Sequence, residues 1–163
     1  MTMKTIDEFC NHHKACDEGR AWALSNCRTM QEAWETARHE WLIWIATRPS
    51  VASDAQLRKF AVWSARRIQH LMRDPRSIAA LDVAERHADG MATDEELLDA
   101  RRSAQAAEGD AERVATEASR TSARDSAWTA ARAAEWAAAD AARDAALSAQ
   151  DAWLRKNITP NFL

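Results

Sequence analysis

At 163 residues the chain is long enough to bury a core without disulfides or a bound metal. Apolar residues make up 47% and charged residues 29%, which excludes a disordered chain. The net charge of -3 gives no reason to expect nucleic acid or an anionic membrane as partner.

Three glycines and three prolines suit helices joined by short turns. The opening residues MTMKTIDEFC are polar where a signal peptide needs an apolar segment. The longest strongly apolar run, Trp41 to Ala46, is too short to span a bilayer. Three cysteines crowded at one end make a poor disulfide framework. These features together predict a reduced, cytoplasmic protein with no membrane contact.

In chain order, Thr5 and Glu8 form a capping box that predicts a helix over 6–13. A second helix is expected from about Ala15 to Asn26, with Asp17 and Glu18 in its first turn. Gly19 inside it costs about 1 kcal/mol relative to alanine, which points to a neighbour passing close. Thr29 and Glu32 open a third helix, whose apolar stripe is Met30, Ala33, Trp34 and Ala37. HEWLIWIATRP then reads as a short helix, apolar almost all round and therefore central, stopped by Pro49.

Ser53 or Asp54 caps a helix over 54–72, with Leu57, Phe60, Ala61, Ile68, Leu71 and Met72 on one face. Arg58, Lys59, Arg66, Arg67 and Arg73 lie opposite. Asp74-Pro75 restarts the chain as N-cap and first helical residue, and Gly90 ends that helix.

Thr93 and Glu96 form another capping box. The 63 residues 94–156 hold 22 alanines, no proline and one glycine, Gly109. They read as one very long helix or as two broken near Gly109. Trp128, Trp136, Leu147, Trp153 and Leu154 recur near whole helical turns, with small residues between them that let helices approach closely. The tail NITPNFL stops at Pro160 and offers Phe162 and Leu163 for docking. The fold expected is all-α. It is a single helical bundle of short helices over 1–92, with a long Ala-rich C-terminal helix or helical hairpin over 93–156 and a tail over 157–163.

The segments ACDEGRAWAL, TMQEAWETARHEWLIWIATRP and, most specifically, DPRSIAALDVAERHADGMATDEEL, with the Ala-rich region after them, carry a resemblance over most of the chain. It resembles the alanine-rich helical proteins of phage and bacterial genomes identified as Imm5-like immunity proteins. The resemblance implies a binding role, neutralising a toxin or a defence or host factor, and implies no catalytic residues.

The residues themselves leave several chemistries to weigh. CNHHKACDEG places Cys10, His13 and Cys16 close together, and Cys27 follows. Zinc needs four converging N or S ligands. Cys10, His13, Cys16 and Cys27 are the set that fits, with His12 as a substitute, but the spacing matches no paired knuckle. The reading the residues favour makes Cys16 and Cys27 small buried hydrophobes and places His12 and His13 at a helix end. A nucleophilic Cys16 would need a base and an oxyanion hole, and nothing marks the latter. His39-Glu40 fails the H-E-x-x-H pattern because position 43 is Ile. Glu85, His87 and Asp89 read as a solvated last turn, and phosphate-loop and nucleophile-elbow motifs are absent in their usual forms.

The basic face Arg58, Lys59, Arg66, Arg67, Arg73 and Arg76 suits phosphates, but neighbouring acids are able to neutralise it. Trp34, Trp41, Trp44 and Trp63 read as core. Trp128, Trp136 and Trp153, with Arg66, Arg67 and Arg73, are the candidate partner-facing residues. The expectation is a non-enzymatic protein-binding chain, monomeric or homodimeric, without cofactor. A self-assembling helical protein and a metal- or thiol-dependent enzyme are the alternatives.

Overall fold

The computed structural model describes residues 5–107, 113, 115, 116, 118–120, 122–137 and 140–162, and of 133–137 and 140–143 the backbone alone. Every regular element among these residues is helical. The helices are α1 (Ile6–His12), α2 (Asp17–Asn26), α3 (Met30–Thr36), α4 (His39–Ala46), α5 (Asp54–Arg66), α6 (Pro75–Ala88), α7 (Asp94–Gln105), α8 (Ala123–Ala137) and α9 (Asp140–Asn157). No described helix is long and apolar enough to cross a membrane.

Local chemistry starts most of these helices. A helix N-terminus leaves N–H groups without intrahelical acceptors, and a side-chain oxygen three residues back supplies one. Reciprocal capping boxes form at Thr5/Glu8, Ser53/Gln56 and Thr93/Glu96. Thr29 accepts from the Glu32 amide at 3.1 Å, but the Glu32 carboxylate takes the amide of Arg28 at 2.6 Å, so that box is only half closed. Asp74 accepts from the Arg76 amide at 2.8 Å, with Pro75 opening α6. Arg76 also donates to both Asp74 oxygens, and these bonds hold the Asp74 pKa down at about 2.

Three expectations are corrected. The helix from Asp54 stops at Arg66, not at residue 72, and a 3-10 turn (Gln69–Leu71) follows. Bonds of the tighter i to i+3 kind replace the α ladder: Ile68 N–H to Ala65 O at 3.1 Å and Leu71 N–H to Ile68 O at 2.9 Å. This turns Ile68 and Met72 into the core and leaves Leu71 43% exposed.

The Ala-rich region does not run as one long helix. Its described helices have 12, 15 and 18 residues, and the backbone is non-helical at Arg120. Gly109 lies outside the described residues, as does Leu163. Third, Cys16 is an exposed N-cap rather than a buried hydrophobe.

The main core joins α1 to α5, α8, α9 and the tail. Phe9, Trp34, Leu42, Leu57, Phe60 and Leu154 are each at most 2% exposed. Burying a large apolar side chain of this kind is worth about 1.5–3 kcal/mol. The tail docks as expected: Asn161 donates its amide to Val51 O at 3.0 Å, and Phe162 sets its ring edge-on to Phe9 at 5.7 Å.

α9 is tied to the first half by polar contacts. His39 Nδ1 lies 2.6 Å from Asp151 Oδ1. Arg155 donates to the carbonyls of Trp34 at 3.3 Å and Ala37 at 2.8 Å, satisfying acceptors at the C-terminus of α3. α5 and α8 make the most extensive helix pair. Buried Arg58 locks it by donating to the Arg120 carbonyl at 2.5 Å, and Arg124 pairs with Asp54 at 3.2 Å.

Phe60→Ala removes a ring packed on Trp63 and Trp153 and is expected to cost about 3–5 kcal/mol in urea unfolding. Asp74 contributes a pH dependence of known sign. Its folded pKa of about 2 lies below the ordinary 3.8, so its stabilisation is present above the ordinary value and is lost as pH falls through about 2. Acid unfolding followed by circular dichroism should show that Asp74→Asn removes this part of the pH dependence.

Candidate functional site

The CNHHKACDEG segment forms the rim of a cavity. α1 ends at His12 with His13 as its C-cap, and Lys14 then takes a left-handed backbone conformation, φ 54°. That conformation costs a non-glycine residue about 1–2 kcal/mol. It allows the Ala15 amide to return to Cys10 O at 2.8 Å, so the chain reverses and α2 lies beside α1. Cys16 then caps α2, its Sγ accepting from the Gly19 amide at 3.4 Å.

Opposite this reversal stands α4. Gly19 makes the approach an easy one: a Cβ there would sit tightly, 3.3 Å from Trp41 Nε1 and 3.2 Å from Cys16 Sγ. The Trp22 and Trp41 rings meet at 4.9 Å, and the Arg38 guanidinium stacks on Trp41 at 3.9 Å. Trp44 and, from α8, Trp128 complete the wall. The resulting cavity has a volume of about 450 Å³, with Cys10 and Cys16 on its surface and Lys14, Glu40 and Arg132 in its lining. An apolar chamber of this size with few polar groups is the usual form of a binding pocket.

A second cavity of about 440 Å³ lies across the same two tryptophans. Trp44 and Trp128 line it together with Arg48, Arg120 and Arg124. Arg48 donates to the Trp44 carbonyl at 2.9 Å and to Thr47 Oγ1 at 3.1 Å. Burial, and then the positive charge of Arg124, lower its pKa.

The other predicted residues lie elsewhere. Trp153 packs against Phe60 at 5.4 Å and Trp63 at 5.9 Å, and with Arg66 it lines a smaller hollow of about 280 Å³. Arg66 is held by Asp82 at 2.6 Å and Glu85 at 2.8 Å, and Arg67 sits over Trp63 at 5.2 Å. Arg73 is exposed. The Trp136 side chain lies outside the described residues. The basic face is laced with ion pairs rather than open: Lys59 meets Asp89 at 2.7 Å, Arg76 meets Asp74 at 2.6 Å, and Arg58 is buried. His87 contacts Asp94 at 2.8 Å, so the Glu85, His87 and Asp89 turn is paired on every member.

The four residues considered for zinc are dispersed in role. Cys10 is buried, and burial foremost raises its pKa, which keeps it a thiol at neutral pH. His13 packs on Phe9 at 4.5 Å, Cys16 caps α2, and buried Cys27 lies 3.6 Å from Thr36 Oγ1. Among the described residues no three His, Cys, Asp or Glu side chains form a group able to hold a metal ion.

Sequence reasoning singled out Trp128 and the cysteine segment but missed their meeting. It also missed Arg48, Arg124 and the His39–Asp151 pair. That pair spans 112 positions, a separation at which no local pattern signals a contact. Compared with protein-family models, curated proteins and solved structures, the chain matches none.

The thiols give a direct check of this geometry. With a maleimide or aromatic disulfide reagent, Cys16 should react quickly in the folded chain. Cys10 and Cys27 should react only when it unfolds, a difference read by mass spectrometry of the labelled peptides.

Proposed function

We propose that the chain is a non-catalytic helical bundle that binds and occludes a partner protein through the chamber walled by Trp22, Trp41, Trp44 and Trp128. The observation that supports this most is the gathering of four half-buried indoles around one open apolar volume. Tryptophan is the residue most enriched at binding hot spots, because it offers a large rigid apolar face and one N–H donor. A large side chain of the partner enters the chamber, and Lys14, Glu40 and Arg132 meet polar groups around it. The resemblance to immunity proteins adds the biological setting: the partner is a toxin, or a defence or host factor, and occlusion blocks its surface.

The chamber also narrows the earlier set of partner-facing residues. Trp128 belongs to it, whereas Trp153 and Arg66 line a separate hollow and Arg67 sits over Trp63.

The test is affinity capture from lysate of the source cell, run in parallel with wild type, Trp128→Ala and Trp153→Ala. A stoichiometric partner held by wild type and Trp153→Ala, and weakened at least tenfold by Trp128→Ala, is the expected result; hot-spot truncation costs roughly 2 kcal/mol or more. Equal retention by all three chains would rule the chamber out as the docking site.

A further inference from the structure

The chamber walled by Trp22, Trp41, Trp44 and Trp128 keeps its charges at the mouth. Phe9, Ala33 and Ile45 in its lining are buried and apolar. Cys10, buried beside them, stays a neutral thiol because burial raises its pKa. The charged residues of the lining are Lys14, Glu40 and Arg132, and all three are exposed. Glu40, the one carboxylate, is held by Arg38 at 3.3 Å. A volume of about 450 Å³ is in the range of sites that enclose a whole small molecule, about 300–1,000 Å³.

Two observations select the occupant. The Arg38 guanidinium lies 3.9 Å from the Trp41 ring and the Arg48 guanidinium 4.8 Å from the Trp44 ring, yet neither arginine lines the chamber. An indole face attracts a cation through its quadrupole, and here two of the four rings already hold one from outside. A second cation inside would meet like charge across those rings. An uncharged aromatic ring instead gains offset or edge contacts with the indoles.

The second observation is a hydrogen-bond donor. An indole N–H can donate and cannot accept. Trp41 Nε1 lies beside Gly19 and Cys16 on the α2 side of the chamber, 3.3 Å from where a Gly19 Cβ would stand. It is not sealed off from the surface, and no described residue accepts from it. An acceptor oxygen on the occupant would complete it.

We propose that the chamber is a binding site for a free small molecule, an uncharged planar fused-ring aromatic that carries a carbonyl oxygen. The rings pack among the four indoles, and the carbonyl accepts from Trp41 Nε1. The inference rests on the chamber named in the partner-protein reading, but its test uses the purified chain with no partner present, so either can fail without the other.

The probe is 9-fluorenone, titrated into the purified chain by isothermal titration calorimetry. Saturable one-to-one binding that is insensitive to added salt is expected, because no charged group of the ligand is involved. Fluorene, which has the same rings with a methylene in place of the carbonyl, should bind about fivefold or more weakly, since it leaves the donor unmade. Trimethylphenylammonium should show no saturable binding. Trp128→Ala, which removes one wall, and Ala15→Leu, which fills the chamber from its lining, should each weaken fluorenone binding about tenfold or more. Trp153→Ala, at the separate hollow, should leave it unchanged. Circular dichroism confirms the fold of each variant, and Ala15→Leu carries the test if Trp128→Ala fails to fold. Absence of saturable fluorenone binding would overturn the proposal, as would wild-type affinity in the folded Ala15→Leu chain. Fluorene binding as tightly as fluorenone would overturn the carbonyl half, and tight binding of the ammonium would overturn the uncharged class.

Discussion

The close crossing of α8 on α5 is the constraint on which the rest of the structure depends. Both faces of that contact are built from the smallest side chains. Ala61, Ser64 and Ala65 come from α5, and Ala123, Ser126, Ala127, Ala130 and Ala131 from α8, all buried. Small residues let helix axes approach, so that dispersion contacts add up along the whole seam. The seam has a cost that can be located: Ser64 Oγ is buried with no partner among the described residues. Arg58 reaches across to the Arg120 carbonyl, where a long side chain with a fixed fork bridges helix to backbone.

The candidate site follows from what this crossing brings along. α8 carries Trp128 to α4, where Trp44 stands, and these two indoles become the wall between an apolar chamber and a groove of arginines. The other side of the chamber is local in origin. A strained turn at Lys14 and a sulfur cap at Cys16 fold α2 back on α1, and Gly19 leaves room for Trp41. The cysteines that look like ligands in the sequence are therefore parts of a turn and a cap. The histidines beside them end α1.

Legibility in the sequence tracked the range of each interaction. Capping boxes at Thr5, Ser53 and Thr93 join residues three apart, and each was readable as a helix start. The apolar stripe of α3 was equally readable, and Met30, Ala33, Trp34 and Ala37 are all buried. The end of α5 was not, because Leu71 continues the helical apolar pattern in sequence while the chain tightens into a 3-10 turn before Asp74-Pro75. The chamber was half visible. Trp128 stood out on an alanine helix too poor in large residues to bury it. Trp41 and Trp44 looked like core because their neighbours Leu42, Ile43 and Ile45 are core. Arg48, Arg120 and Arg124 carry no pattern that unites them, since only the α5–α8 crossing brings 48 near 120 and 124.

If tight packing of the small-residue seam is what sets this arrangement, enlarging one buried alanine within it must be harmful. Ala127, fully buried at the centre of that face, is the residue to change. The unfolding free energy of Ala127→Leu, measured by urea titration beside wild type, tests this most directly. Overpacking predicts a loss of about 1–3 kcal/mol. Unchanged or increased stability would show that α8 lies loosely on α5, and would contradict the account.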